Sequence, residues 1–187
     1  MGRTYHSIDD RLREFIEAQR LFFVASAPSG ADGHVNVSPK GGDTLRVLDG
    51  STVAYLDHVG SGVETIAHLR ENGRIAVLFC AFEGPPRIVR LHGRGEAVEP
   101  LDPGFAALRE RFAPAAGGVR SIVVVHVERT SDSCGYGVPL FRYEGERPHL
   151  AQWAEKKGPE GLESYQRQKN ATSIDDLPGL RWVERRE

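Results

Sequence analysis

The sequence predicts a mainly β protein, a β-barrel with peripheral helices. About six or seven segments have the apolar pattern of strands, and most are joined by short turns that contain glycine. Many short strands with frequent glycine turns are typical of barrels. One short helix between strands does not make the regular strand–helix alternation of an α/β protein.

The first half of the chain supplies a helix and four strands. Residues 8–20 have the apolar spacing of an amphipathic helix, preceded by a weak capping signal from Ser7 and Asp10. The segments LFFVASAPS and HVNVSPK, separated by the turn GADG, predict a β-hairpin. The segment DTLRVLDGSTVAYLDHV predicts two more strands with a turn at Asp49 and Gly50.

The second half predicts a short helix over residues 63–70, ended by Asn72 and Gly73. The strand RIAVLFCAF follows, and then the long strand RIVRLHGRGEAV, in which Gly93 and Gly95 indicate a bulge or a bend. Another helix is expected over residues 103–112, before the strand SIVVVHVERTSD. The segments HLAQWAEKKG and PEGLESYQRQKN are predicted to be helical.

This order predicts a barrel domain with an N-terminal helix over residues 1–145. Residues 146–187 are then a helical extension, packed on the barrel or on a partner subunit. The chain of 187 residues, with 40% apolar and 27% charged residues, suits one soluble domain with a small appendage.

Composition argues against several classes of protein. The formal net charge of -2 gives no electrostatic reason to expect nucleic-acid binding. No apolar run approaches the roughly 20 residues that span a bilayer, and the N-terminus lacks the apolar core of a signal peptide. We therefore expect a cytoplasmic protein that is not bound to a membrane. Cys80 and Cys134 are far apart in the sequence, and Cys80 is expected in the core. The seven histidines lack the spacing of a metal site, so no metal is predicted.

The stretch VNVSPKGG, residues 35–42, is the first candidate binding element. In a strand, Asn36, Ser38 and Lys40 share one face while Val35 and Val37 share the other, which is expected to be buried. The polar residues then lead into two glycines, which allow a backbone to approach a ligand closely. Two interpretations are open. The face is either solvated or in contact with a bound phosphorylated cofactor.

The second candidate is the glycine-containing turn of residues 60–62, between a strand and a helix. A helix N-terminus suits a phosphate, and Ser61 and Thr65 would add hydroxyl donors. An ordinary turn capped by Ser61 explains the pattern equally well. A dinucleotide-binding fold is disfavoured because Thr65 replaces the third glycine and the flanking segments pair as hairpins.

Taken together, the segments resemble the FMN-binding split-barrel family typified by pyridoxamine 5'-phosphate oxidase, over about residues 10–130. The resemblance rests on the order FFVASAPSGADGHVNVSPKGG, TVAYLD, LRENGRIAVLF and RIVRLHGRGEAV. The motifs SPKGGDTLRVLD, GSGVETIAHLRENGRI, CAFEGPP and CGYGVP are similar to a subgroup of pyridoxamine 5'-phosphate oxidase-related proteins.

The resemblance implies a six-stranded antiparallel split barrel and a homodimer, with FMN at the interface. Carried onto this chain, the cofactor-binding positions are on the polar strand, the next long strand and the turn after it: Asn36, Ser38, Pro39, Lys40, Gly41, Leu56, Asp57, Ser61 and Gly62. Thr65 joins them through its hydroxyl. Lys40 would supply the positive charge that favours an anionic ligand.

Two further positions are candidates for the cofactor site. Arg90 alternates with Ile88 along its strand and would face the groove in one of two orientations. Tyr136, in the CGYG loop, would either pack in a tight loop against the barrel or its partner, or stack over the open face of the flavin.

The sequence also departs from the authentic oxidase. Glu64 lies where the oxidase has an Arg-Lys pair that binds phosphate, Ile88 replaces a glutamine, and the oxidase's C-terminal substrate motif has no match. We therefore predict an FMN-dependent oxidoreductase for a small molecule other than pyridoxamine phosphate, with its catalytic residues unidentified. The alternative is a non-catalytic flavin or haem storage module. Deazaflavin is an alternative cofactor.

Overall fold

A computed structural model describes residues 2–113 and 118–184 of the protein. Within these residues there are eight strands: β1 Thr4–Tyr5, β2 Phe22–Ser26, β3 Asn36–Lys40, β4 Leu45–Val47, β5 Thr52–His58, β6 Arg74–Cys80, β7 Ile88–Val98 and β8 Val119–Ser133. The helices are α1 Asp10–Ala18, α2 Glu64–Glu71, α3 Phe105–Arg109, α4 His149–Lys169 and α5 Arg181–Glu184.

The strands form one antiparallel sheet in the order β3-β2-β6-β7-β8-β5-β4, with β1 added beside β8. The hairpin of β2 with β3 and the hairpin of β4 with β5 follow the predicted turns. The sheet curls into a split barrel, which confirms the predicted fold class. It has two more strands than the expected six, because the short strands β1 and β4 extend it.

The barrel interior is filled by alternate residues of the strands and by one side of α1. Leu12 and Ile16 of α1 are buried among inward-facing side chains of the sheet. Asp9 caps this helix, accepting a hydrogen bond from the Leu12 N–H at 2.8 Å. The predicted cap, formed by Ser7 and Asp10, was therefore wrong, because the helix begins after Asp9.

Two smaller apolar clusters lie outside the barrel. On the outer side of β5 and β8, Leu56 and Ile122 pack with Phe112, close to α3. Around α2, Val63 and Ile66 pack with Leu180 from the C-terminal part of the chain. This second cluster ties the C-terminal part to the helix that follows the 60–62 turn.

The long strand β7 is irregular where its glycines predicted a bulge. The register between β7 and β8 shifts between His92 and Gly93. A Cβ atom on Gly93 would lie 2.0 Å from the backbone oxygen of His126 on β8, so the two backbones approach more closely than a side chain permits.

The C-terminal part was predicted less well than the barrel. Both predicted helices are present but run together as α4, with a non-helical Gly158 between them. The short helix α5 follows, although its sequence showed little periodicity. Between β8 and α4, residues 134–148 form an arm without regular secondary structure, and most of its side chains are exposed.

The curled sheet brings its two edges together through charged side chains. Lys40, at the end of β3, lies 2.7 Å from the carboxylate of Asp57 on β5, although these strands are far apart in the sheet order. Arg120 of β8 contacts the other carboxylate oxygen of Asp57, also at 2.7 Å. We call these three residues the Asp57 triad.

No helix among the described residues is long and apolar enough to cross a membrane. In the same part of the chain, no group of three or more histidine, cysteine or acidic side chains is placed to hold a metal ion. Cys80 is buried in β6, as predicted, and burial raises the pKa of its thiol.

We expect the close approach at the bulge to make Gly93 intolerant of any side chain. Gly93→Ala should lower the free energy of unfolding by about 1–3 kcal/mol, because the added methyl group meets backbone atoms that cannot move independently. Urea denaturation measures this loss. Gly30→Ala is the control, since nothing lies within 4 Å of its Cβ position. Equal stability of the two variants would contradict the packing described here.

We also expect Asp57 to be essential for closing the sheet. Asp57→Asn should lower the free energy of unfolding by about 3–5 kcal/mol, because it leaves two buried or half-buried cations without their counter-charge. Asp43→Asn is the matched control. It breaks an ion pair with Arg46 in which the Asp43 side chain is exposed, so it should cost less than about 1 kcal/mol.

The pH dependence gives a second check on the triad. The pKa of Asp57 is lowered in the folded protein, so its stabilisation is complete above its unfolded pKa of about 4 and is lost only in stronger acid. The difference in stability between wild type and Asp57→Asn should therefore be constant from pH 5 to pH 8. A difference that shrinks between pH 7 and pH 5 would mean that Asp57 is not held ionised by its partners.

Candidate functional site

The polar face of β3 points into the barrel. Asn36, Ser38 and Lys40 are partly buried, and Asn36 donates a hydrogen bond from Nδ2 to Oγ1 of Thr65 on α2 at 3.0 Å. The valines of this stretch are instead exposed, Val37 by 60%. The expectation that the valine face is buried was therefore wrong. Within the described chain, the strand lies at the sheet edge and pairs with β2 on one side only.

The second component of the site is the Asp57 triad. Asp57 is 1% exposed and forms ion pairs with two cations. Arg120 is also buried, whereas the side chain of Lys40 is 21% exposed. Burial alone would raise the pKa of the Asp57 carboxyl, but Arg120 and then Lys40 outweigh burial and hold that pKa well below its usual range. The triad therefore has a net charge of one positive unit. Lys40 is its more accessible cation.

The third component is the 60–62 turn, whose backbone oxygens are bound from two sides. Arg120 donates from Nη1 to the carbonyl oxygen of Gly62 at 2.7 Å. Asn170, at the end of α4, donates from Nδ2 to the carbonyl oxygen of Gly60 at 2.9 Å. The turn is thus fixed both to the Asp57 triad and to the C-terminal part of the chain.

The helix α2 starts directly after this turn. Its N-cap is Val63, which makes no side-chain capping bond, so the alternative interpretation of Ser61 as the cap is wrong. Ser61 is exposed. The carboxylate of Glu64 folds back over Gly62, where a Cβ atom would lie 2.2 Å from the Glu64 Oε2. Glu64 thus places a negative charge beside the positive end of the helix dipole.

A buried histidine fixes α2 against the sheet. His68 is fully buried, and its Nδ1 lies 3.0 Å from Oγ of Ser26 on β2. Thr65, three residues earlier on the same face of α2, contacts Asn36. Burial lowers the pKa of His68, partly offset by Asp175 and other nearby acidic groups, so the ring is neutral at neutral pH.

The structure brings together six of the predicted positions: Asn36, Ser38, Lys40, Asp57, Gly62 and Thr65. Three others lie close in the chain but face elsewhere. The side chain of Leu56 is in the outer cluster near α3, on the opposite face of β5 from Asp57. Pro39 is exposed on the outer face of β3. Gly41 is exposed and accepts a hydrogen bond from the Thr44 hydroxyl at 2.9 Å.

Arg90 lies on the outer face of the sheet, away from Lys40. The register places Arg90 opposite Leu78, Leu78 opposite Phe23, and Phe23 opposite Pro39, so these four side chains share one face. Three strand spacings separate Arg90 from Pro39, roughly 14 Å. Arg90 donates a hydrogen bond to Oγ of Ser133 at 2.9 Å.

Tyr136 does not pack against the barrel of its own subunit. Its side chain is 81% exposed, in the first part of the arm. Later residues of the arm do contact the barrel: the Phe141 N–H donates to the Phe82 carbonyl at 2.9 Å, and the Tyr143 N–H donates to Glu83 Oε1 at 3.0 Å. Among the described residues, Tyr136 makes no hydrogen bond or ion pair with Lys40, Asp57 or the 60–62 turn, so this structure does not bring it to the predicted site.

An apolar groove of about 670 Å³ lies between the arm and the start of β2. Its apolar and aromatic lining is Leu21, Phe23, Phe82, Phe141 and Tyr143. Arg20 lies 5.5 Å from the centre of the Tyr143 ring and adds a positive charge at the groove. Phe23 also faces Pro39 on the outer surface of the sheet, so this groove adjoins the outward face of β3.

Sequence analysis missed two residues of the site, Arg120 and Asn170. A signal existed for the first: Asp57 lies in the apolar strand TVAYLDHV, and a buried carboxylate needs a cation, which Arg120 offers at the start of the apolar strand β8. No comparable signal marks Asn170, which is a helix-ending residue in a segment without a known motif.

The donors present at this site fit a phosphate group attached to a flavin. Two cations face a single carboxylate, which leaves one positive charge uncompensated. The start of α2 has no capping side chain on its N–H groups, and the exposed Ser61 hydroxyl lies beside it. Glu64 is the exception, because its charge opposes that of a phosphate.

The chain is similar to known proteins over most of its length. A family model described as pyridoxamine 5'-phosphate oxidase matches residues 8–134. The "Pyridoxamine 5'-phosphate oxidase family protein ustO" of Aspergillus flavus is 42% identical over 192 aligned residues, which cover 94% of this chain and 77% of the relative.

Two solved structures from Group A Streptococcus show the same fold. HupZ has a TM-score of 0.54 and 24% identity, covering 66% of this chain and 91% of HupZ. A single-residue variant of HupZ has a TM-score of 0.56 and 23% identity, covering 67% of this chain and 99% of that chain. From the family model and the fungal relative together, we conclude that this chain belongs to the pyridoxamine 5'-phosphate oxidase family.

Proposed function

We propose that the protein binds flavin mononucleotide and acts as an FMN-dependent oxidoreductase. The observation that carries this proposal is the Asp57 triad, in which Lys40 and Arg120 share one carboxylate beside the 60–62 turn. The triad has more cations than carboxylates, and the N–H groups at the start of α2 have no capping side chain, so both features favour a phosphate monoester. The Glu64 carboxylate beside Gly62 opposes it. Membership of the family supports flavin as the group that bears the phosphate.

In this proposal the protein binds and orients, while the flavin supplies the redox chemistry. Lys40 provides the accessible positive charge, and Asp57 holds Lys40 in place. Ser61 offers a hydroxyl donor at the start of α2. Asn36 and Thr65, which bind each other, keep β3 and α2 at a constant separation.

The small-molecule substrate is proposed to bind in the apolar groove beside the arm. Four of its ten lining residues are aromatic, and Arg20 and Arg142 outnumber the one acidic residue, Glu83, which suits an apolar or aromatic compound with an anionic group. The departure of Glu64 and Ile88 from the authentic oxidase argues against pyridoxamine phosphate as that compound.

We further propose that two copies of the chain associate through the outward face of β3. Val35 and Val37 are exposed on this sheet edge. Tyr136 and Leu140 are exposed on the arm, shortly before the arm residues that line the groove. An unpaired edge strand with apolar side chains is a natural surface for another chain. Such a homodimer would bring the partner's Tyr136 towards the flavin site.

The visible absorption spectrum of the purified protein, with the released cofactor identified by mass, tests the proposed function. A flavin spectrum with released FMN is expected, and oxidation of reduced nicotinamide with an electron acceptor should follow. Tight flavin binding without any turnover would instead favour a storage module. A Soret band, or failure to take up added FMN, would contradict the proposal.

Lys40→Ala should weaken FMN binding by about 10- to 100-fold, because it removes the accessible cation from a charge-assisted hydrogen bond. Titration of the apoprotein, followed by quenching of flavin fluorescence, measures the dissociation constant. Lys40→Arg keeps the charge and should retain most of the affinity. Lys156→Ala, on the exposed side of α4, should have no effect. Unchanged affinity in a folded Lys40→Ala protein would refute the role of Lys40.

Val37→Asp should convert the dimer to a monomer, because it places two like charges in an apolar interface. Light scattering after size-exclusion chromatography measures the mass. Leu101→Asp is the control, since Leu101 is also an exposed apolar residue, at 73%, but lies in the segment between β7 and α3. A Val37→Asp protein with the mass of the wild-type dimer would show that β3 is not the interface.

A further inference from the structure

The chain after α4 folds back onto the 60–62 turn, outside the residues that match the family model. Asn170, the C-cap of α4, is fully buried. Its backbone oxygen accepts a hydrogen bond from the Leu180 N–H at 2.9 Å, which closes residues 170–180 into a loop. Its side-chain Nδ2 donates to the carbonyl oxygen of Gly60 at 2.9 Å.

This contact is the shorter of two that orient one peptide plane, since Arg120 Nη1 also donates to the Gly60 carbonyl oxygen, at 3.4 Å. In a trans peptide, the N–H points away from the carbonyl oxygen of the same plane. No cis peptide bond occurs among the described residues. Because the Gly60 carbonyl is directed at Asn170 and, over a longer distance, at Arg120, the N–H of Ser61 points away from both side chains. Ser61 is exposed, so its backbone donor and its hydroxyl are both available to a ligand on that side.

The loop of residues 170–180 is itself anchored to α2. Leu180 is fully buried against Val63 and Ile66. Arg70, in the last turn of α2, donates to the carbonyl oxygen of Gly179. A Cβ atom on Gly179 would lie 2.2 Å from the Asn170 oxygen, so the turn packs backbone against backbone. Asn170 is therefore held at a constant position relative to the start of α2.

The other side-chain atom of Asn170 gives an independent indication. Its Oδ1 is buried and has no hydrogen-bond partner among the described residues. A buried polar atom without a partner destabilises the folded state. Stability alone therefore does not explain why an asparagine is at this position. The function that remains for the side chain is the Nδ2 contact with Gly60.

We propose that Asn170 is a positioning residue for phosphate recognition, which acts through the Gly60 carbonyl to direct the Ser61 N–H at a phosphate monoester. The inference rests on the proposed flavin function and adds a part of the chain outside residues 8–134 to the site. Asn170 does not itself contact the phosphate. Its effect is therefore specific to ligands that carry one.

Comparison of FMN with riboflavin, which lacks the phosphate, tests this inference. In Asn170→Ala, the dissociation constant for FMN should rise about 10-fold, while that for riboflavin should change less than about 2-fold. Fluorescence titration of the apoprotein measures both. Ser173→Ala is the matched control. It removes the Ser173 hydroxyl, which accepts hydrogen bonds from the Asp175 and Leu177 N–H groups in the same loop. Ser173 does not contact Gly60, so the affinities for FMN and for riboflavin should both be unchanged.

The possible outcomes separate the inference from the proposed function. Wild-type protein that binds neither flavin, or binds FMN no better than riboflavin, would overturn the proposed phosphate site and this inference with it. Wild-type protein that prefers FMN, with the same preference in a folded Asn170→Ala protein, would overturn the inference alone. If circular dichroism shows that Asn170→Ala is unfolded, Asn170→Leu replaces it. Leucine has a similar size and no charge but cannot donate to Gly60, so it should lose the preference for FMN.

Discussion

The closure of this barrel depends on one buried carboxylate. Asp57 accepts hydrogen bonds from Lys40 on β3 and Arg120 on β8, so it connects strands that lie far apart in the order of the sheet. Neither Arg120 nor Asp57 could be buried alone, because an unpaired charge in an apolar interior is strongly destabilising. The two cations together outnumber the one carboxylate, so the triad has a net positive charge. Lys40 is the accessible cation of the triad.

The same triad connects the fold to its proposed function. Through Gly62, Arg120 binds the turn that starts α2, so the position of the helix N-terminus is coupled to the closure of the sheet. Asn36 with Thr65, and Ser26 with His68, fix the same helix to β3 and β2. The binding site is therefore assembled from several elements whose positions depend on one another. A rigid support of this kind holds donors in place for a ligand without reorganisation on binding.

The strands were predictable because their signals are local. Alternating apolar residues and glycine-containing turns predicted both hairpins and the bulge at Gly93. The two-residue strand β1 and the four-residue helix α5 are too short to have a period, and neither was predicted. The orientation of β3 was misjudged for a different reason. Alternation separates Val37 from Ser38, but only the sheet order reveals that the polar face points inward at an edge strand.

The site was predictable only in part, since its decisive contacts join distant parts of the chain. Arg120 lies 63 residues from Asp57, and Asn170 lies 110 residues from Gly60. An acidic residue in an apolar strand indicates that Asp57 needs a cation, but neither composition nor spacing identifies which one, and nothing in the sequence marks Asn170. Family resemblance pointed to β3, to Asp57 and to the turn before α2, and the structure connects Lys40, Asp57 and Gly62 in one network through Arg120. Strand alternation suggested Arg90, which the register places on the outer face, and the CGYG loop suggested Tyr136, which is exposed on the arm.

A crystal structure of the protein with bound FMN most directly tests whether the phosphate binds beside the Asp57 triad and the 60–62 turn. The account predicts the phosphate group within about 3 Å of the Ser61 N–H and hydroxyl, with Lys40 Nζ as its nearest cation and the Lys40–Asp57 contact preserved. A phosphate bound elsewhere, for example at Arg90 on the outer face of the sheet, would contradict it. In that case the Asp57 triad would only stabilise the curled sheet and would not belong to a cofactor site.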